Sequence, residues 1–117
     1  MALKTGLLGS VVAGVLGLFG GASCRADVAT VTAKIKAGAL VVDVRTPGEF
    51  KSSHYPGAVN IPLQELDARL AELGDKQKPV VVYCRSGHRS GQAKRKLEAA
   101  GFRDVTNGGG LKDMPKR

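Results

Sequence analysis

Residues 84–90 read CRSGHRS: one cysteine, two arginines, two serines, a glycine and a histidine in a row. A thiol attacks as the thiolate, and it ionises more readily beside cations or at the start of a helix. The apolar run Val80-Val81-Val82-Tyr83 precedes this stretch, and Ala93, Leu97 and Ala100 follow at helical spacing, closed by Gly101. Cys84 therefore opens a six-residue loop, Cys84 to Arg89, between a strand and a helix that starts near Ser90. The N–H groups of such a loop, with the free N–H groups of the first helical turn, form a concave anion site. A cysteine held there falls from about 8.5 to somewhere between roughly 3.5 and 7.5. Arg85 and Arg89 carry planar donor forks suited to holding a small oxyanion over the thiolate. Gly87 permits the tight turn, and Ser86, His88 and Ser90 add donors at the rim.

The elements that must position this loop are legible on either side of it. Val28, Val31 and Ile35 recur at helical spacing and Gly38 caps them. Ala39 to Val44 reads as a strand buried on both faces, broken by the turn residues Arg45-Thr46-Pro47-Gly48. Gly57 to Ile61 is a brief apolar piece ended by Pro62. Leu63, Leu66, Leu70 and Leu73 then mark an amphipathic helix with Gly74 at its stop. Phe102 to Thr106 gives a last short strand, and Gly108-Gly109-Gly110 reads as a tight turn beside the site. Strands alternating with helices of about ten residues predict an α/β domain with a central, mostly parallel sheet and helices on both faces. In such sheets ligands bind at the carboxyl ends of the strands, where Cys84 stands.

The 117 residues have room for one small domain, 27–117, behind a distinct segment, 1–26. That segment starts with Lys4, continues apolar from Leu7 to Phe19 and ends in small residues, the pattern of a secretory signal peptide. Its length also suits a retained transmembrane helix, and Gly21-Ala22-Ser23-Cys24 resembles a lipobox that would anchor the protein by lipid on Cys24. All three readings place the domain in the periplasm or otherwise outside the cytoplasmic membrane. With Cys24 in the processed region, Cys84 is left as a lone thiol in an oxidising compartment. The net charge of +8 favours small anions as partners; nucleic acid is excluded by the absence of a recognition motif and by 4% aromatic content.

CRSGHRS resembles the active-site loop of the rhodanese family of single-domain sulfurtransferases, in which a cysteine opens a six-residue loop. Asp43-Val44-Arg45 with Glu49-Phe50, the run His54 to Pro62, SGQAK at 90–94, Gly101-Phe102 and the late GGGLKDMPK are similar to other family signatures in order and spacing. The resemblance covers about 27–115. It implies a thiosulfate sulfurtransferase that carries sulfur as a persulfide on Cys84 and hands it to cyanide or another thiophilic acceptor such as a thiol, without metal or organic cofactor. It further implies that Arg85, Ser86, Gly87, His88 and Arg89 form the cradle and that Asp43 and Arg45 support fold and loop as an ion pair. The family's late tryptophan is missing, with Met114 nearby. Two rivals stay open: a sulfur carrier or partner-binding module without turnover, and a cysteine phosphatase or arsenate reductase. The phosphatase loop is one residue longer and would need arginine where Ser90 stands.

Overall fold

The computed structural model describes residues 25–116, so Cys24 and all of the 1–26 segment but Arg25 and Ala26 lie outside the described residues. Helix α1 (Val28–Lys36) leads into strand β1 (Leu40–Asp43), a short helix α2 (Pro47–Ser52) and strand β2 (Val59–Asn60). A 3₁₀ segment (Leu63–Leu73), strand β3 (Val80–Cys84), helix α3 (His88–Ala99), strand β4 (Val105–Gly110) and a final 3₁₀ turn (Leu111–Asp113) complete it. The strands form one parallel sheet in the order β2-β1-β3-β4. From β1 the chain moves outward to β2, then crosses back to build β3 and β4 on the other side. The order therefore reverses between β1 and β3, and the ends of those strands, Asp43 and Cys84, flank the crevice that such a reversal opens.

The period-2 alternation of β3 divides the core. Val80, Val82 and Cys84 pack with Leu66, Leu73, Ala93 and Leu97 under the 3₁₀ segment and α3. Val81 and Tyr83 pack on the opposite face with Val31 of α1, Tyr55 and Met114. Every residue of β3 is buried, and each of its valines contributes roughly 1.5–3 kcal/mol by leaving water. The strand that ends in Cys84 is thus anchored in both halves of the core.

Three sequence expectations need correction. Leu63–Leu73 buries Leu66 and Leu73 as the pattern predicts, but it is a 3₁₀ helix kinked at Arg69, where φ is −118° and ψ 22°. In a 3₁₀ helix residues three apart eclipse, so Leu63 with Leu66 and Leu70 with Leu73 each share a face. The four-residue step between those pairs is where the kink falls. Residues 45–48, read as a turn, end in α2, whose start is a capping box: Thr46 Oγ1 accepts the Glu49 N–H and Glu49 Oε1 accepts the Thr46 N–H. Finally, the glycine run 108–110 is no turn but the end of β4, paired at Gly110 with Cys84.

Candidate active site

Cys84 is the last residue of β3 and is fully buried, and α3 starts at His88, two residues earlier than the sequence pattern placed it. The intervening turn is short because Gly87, at φ +98°, takes the left-handed conformation that caps the helix. This aims the Gly87 N–H at Cys84 Sγ at 3.0 Å, and the Ser90 N–H follows at 3.4 Å. Ser90 Oγ also lies 3.4 Å from the sulfur. Burial pushes the Cys84 thiol up, but the Ser90 hydroxyl and the N–H groups of Ser90, Gly87 and Ser86 more than reverse this, leaving it below its ordinary value. The N–H groups of Gly87 and Ser90 stabilise negative charge on sulfur as fixed backbone donors that need no reorganisation when charge develops.

Around that sulfur the residues singled out by sequence take different places. Arg85 and Ser86 are exposed, and among the described residues Arg85 joins no ion pair. Arg89 is committed elsewhere than expected: its Nη1 and Nη2 donate to Glu49 Oε1 and Oε2 at 3.0 and 3.1 Å. That pair, with desolvation opposing it, raises the Arg89 guanidinium further, and Arg89 holds the Glu49 carboxyl down at about 2. His88 is exposed on the first turn of α3, facing Gln92. His54 stacks on Phe50, ring centroids 3.7 Å apart, and its Nδ1 bonds the Phe50 carbonyl.

Asp43 and Arg45 meet in a buried fork, with Arg45 Nη2 at 2.7 Å and Nε at 3.0–3.1 Å from the carboxylate. Tyr83 Oη donates to Asp43 Oδ2 at 2.8 Å and accepts the Tyr55 N–H, while Arg45 Nη2 also reaches the Ser53 carbonyl. Burial pushes the Tyr83 phenol well above its usual value, so it remains a donor here. The network ties the ends of β1 and β3 to the end of α2. Between them lies an open pocket of about 540 Å³ whose lining includes Arg45, Glu49, Ser53, Arg85 and Lys112.

Sequence reasoning missed Asn107, buried on β4, and underrated Ser90. Ser90 Oγ donates to Asn107 Oδ1 at 2.6 Å, and Asn107 Nδ2 donates to the Gly87 carbonyl at 3.2 Å. Nothing in the spacing links position 107 to position 84; only the β3–β4 pairing does. Glu49 entered as part of a family signature, whereas its physical signal was the T-x-x-E capping pattern at 46–49.

Comparison with known proteins agrees with this geometry. The model of the rhodanese-like domain matches residues 27–113. Thiosulfate sulfurtransferase PspE of Escherichia coli is 49% identical over 78 residues, covering 64% of this chain and 75% of that protein. The putative sulfur carrier protein YrkF of Bacillus subtilis is 39% identical over 67 residues, 57% of this chain but only 36% of its own length. A solved rhodanese with anions from E. coli superposes with a TM-score of 0.63 at 46% identity, covering 67% of this chain and 95% of that one. The chain belongs to the rhodanese-like family, and its fold is the family's parallel α/β sheet.

Proposed function

We propose that this rhodanese-family chain is a thiosulfate sulfurtransferase working through a persulfide on Cys84. The observation that carries the reading is the cradle itself: a buried sulfur facing the N–H groups of Gly87 and Ser90 at a helix start, with its thiol lowered. Cys84 thiolate attacks the outer sulfur of thiosulfate, the S–S bond breaks, and sulfite leaves with the electron pair. The terminal persulfide sulfur is then attacked by cyanide or a thiolate, and Cys84 leaves as thiolate. The loop N–H groups stabilise the anionic sulfur in both steps. That Arg85 is exposed on the pocket wall and in no ion pair among the described residues supports its reading as the cation that receives the sulfonate oxygens. Asp43 and Arg45 serve the site by holding the strand ends together.

Mass spectra of residues 27–117 before and after thiosulfate test this. A gain of one sulfur atom, lost on adding cyanide and absent in Cys84→Ser, is expected. Steady formation of thiocyanate should follow, falling as pH is lowered and the thiolate is protonated, with a midpoint below that of an ordinary cysteine thiol. A persulfide that forms but does not turn over on thiosulfate would favour a carrier role instead, the role in the name of the Bacillus relative. No adduct on a folded, free thiol overturns the thiosulfate sulfurtransferase and favours a carrier loaded by a partner or a cysteine phosphatase. We further propose that residues 1–26 direct export and leave the domain outside the cytoplasmic membrane, freed, lipidated at Cys24 or anchored. Protein recovered from its native host with Met1 intact and no membrane association would refute this.

A further inference from the structure

The Ser90 hydroxyl carries one hydrogen, and two groups compete for it. The orientation of the Asn107 amide is fixed by its neighbours: Oδ1 accepts the Gly109 N–H at 2.9 Å, and Nδ2 donates to the Gly87 carbonyl at 3.2 Å. A flipped amide would set NH₂ against an N–H and oxygen against oxygen. Asn107 Oδ1 is therefore an acceptor, and Ser90 Oγ, 2.6 Å away, is the donor to it. With its hydrogen there, Ser90 Oγ turns a lone pair towards Cys84 Sγ at 3.4 Å, where a thiol S–H can donate. The Gly109 carbonyl, at 3.5 Å from Ser90 Oγ, is a weaker acceptor.

A thiolate has no hydrogen to offer, and that lone pair would then face an anion. We propose that Asn107 is a positioning residue for the reacting sulfur, acting through the Ser90 hydroxyl. The hydroxyl donates to Asn107 while Cys84 is a thiol and swings to donate to Cys84 when the sulfur ionises, the thiol proton leaving to water. Asn107 Oδ1 keeps the Gly109 N–H after the swing, so no buried oxygen is left without a partner. Asn107 Nδ2 meanwhile holds the Gly87 carbonyl, fixing the residue whose N–H meets the sulfur on its other side. The same exchange reverses once sulfur is loaded, because the negative charge then resides on the terminal atom rather than on Sγ. The amide thus limits how strongly the resting thiol is drawn toward ionisation.

The other charged groups around the loop are Arg85 within it, His88 and Arg89 on α3, Glu49 on α2, the Asp43–Arg45 pair at the end of β1, Lys112 and Asp113 after β4, and Arg25, which lies against Gly109 and pairs with Asp113. None of these changes in the variants below, so their contribution is common to all of them. The measurement is the pH midpoint of Cys84 alkylation by iodoacetamide, which needs no sulfur transfer. The inference rests on Cys84 as the reacting thiol, yet it stands or falls apart from persulfide formation.

Ser90→Ala is expected to raise the midpoint by about one pH unit, the worth of one hydrogen bond to a charged group. Asn107→Ala frees the Gly87 carbonyl, which raises the midpoint alike in both backgrounds. It also removes the competing acceptor, which lowers the midpoint only where the Ser90 hydroxyl is present. The midpoint change on Asn107→Ala is therefore expected to be more negative by about half a unit in the Ser90 background than in Ser90→Ala. An equal change in the two backgrounds would make Asn107 a support for Gly87 alone and overturns the proposal. If thermal melting shows Asn107→Ala unfolded, Ser90→Thr, which keeps the hydroxyl, decides beside Ser90→Ala. Wild-type behaviour in Thr with a raised midpoint in Ala supports the proposal, and equal midpoints in the two overturn it.

Discussion

Arg89 shows how one residue serves loop and scaffold together. Its guanidinium is spent on Glu49, whose carboxylate also closes the capping box of α2, so the first turn of α3 and the start of α2 are clamped by a single acid. The Arg89 hydrogen bonds are the largest cause holding Glu49 at about 2, followed by the Thr46 N–H. A carboxyl depressed from 4.5 in the folded state stabilises fully above that pH and loses its contribution as pH falls towards about 2. The pair is partly solvated, so the effect is a modest one. Arg89→Gln should raise the Glu49 titration midpoint, followed by side-chain NMR, and shrink the loss of urea stability between about pH 5 and pH 3. An unmoved Glu49 titration would show that the Thr46 cap alone holds it. At this scale the sequence spoke clearly for Cys84, because a thiol between strand and helix has few other uses. It was silent on what Arg89 touches, since a partner forty positions away has no local signature.

The elements hold the site by two devices, one polar and one steric. Asp43 and Arg45 are both buried, at 0% and 6% exposure, and each satisfies the other, so removing one member leaves a charge alone in the core. Arg45→Met should cost about 3–5 kcal/mol in denaturant unfolding, and Asp43→Asn combined with it should recover much of that loss. The steric device is at the end of β4, where a Cβ on Gly110 would meet the Arg85 carbonyl oxygen. The glycine run lets β4 press against the Cys84 turn with no side chain between them. Gly110→Ala should therefore push the turn off its geometry and cut sulfur transfer on the order of 100-fold, as displacements of about 1 Å do. Stability should fall by only about 1–3 kcal/mol. Near-normal turnover in the variant would show that the turn moves without consequence. The triple glycine read as a tight turn beside the site, and its place in a strand was not legible, because glycine runs are commoner in turns than in strands. The capping box at Thr46 was equally visible; the Pro47-Gly48 pair beside it favoured the turn reading, and helical Pro at the first position is the exception that applied.

At the scale of the whole molecule, the parallel sheet and its two covered faces follow from the valine runs at 41–42 and 80–82, since only strands buried on both sides read as continuously apolar. The leucine spacing at 63–73 fixed which face is buried and left the helix type open, because periods of 3.0 and 3.6 cannot be told apart over three steps. What no local pattern carries is the crossing of strand order between β1 and β3, which brings Asp43, Arg45 and Cys84 to one crevice. Charge is the other property that belongs to the molecule as a whole. The chain carries 18 Lys and Arg against 10 Asp and Glu, and the pocket beside Cys84 is lined by Arg45, Arg85 and Lys112 with Glu49 as the one acid among them. Glu49 is bound to Arg89, Arg45 to Asp43 and Lys112 to Asp113, so the positive field offered to a dianionic donor rests on Arg85 and on the chain's net charge of +8. Such attraction acts over distances that salt screens, with a Debye length near 30 Å at about 0.01 M and about 3 Å at 1 M. On the proposed mechanism the KM for thiosulfate should therefore rise several-fold across that range while kcat stays nearly constant, because Cys84 is buried and its chemistry would be hardly screened. Arg85→Gln should raise the KM at low salt about tenfold, roughly one charge-assisted contact, and flatten its dependence on ionic strength. A salt-independent KM in the wild type would mean that thiosulfate is recognised by the loop N–H groups alone, with the basic surface serving some other end.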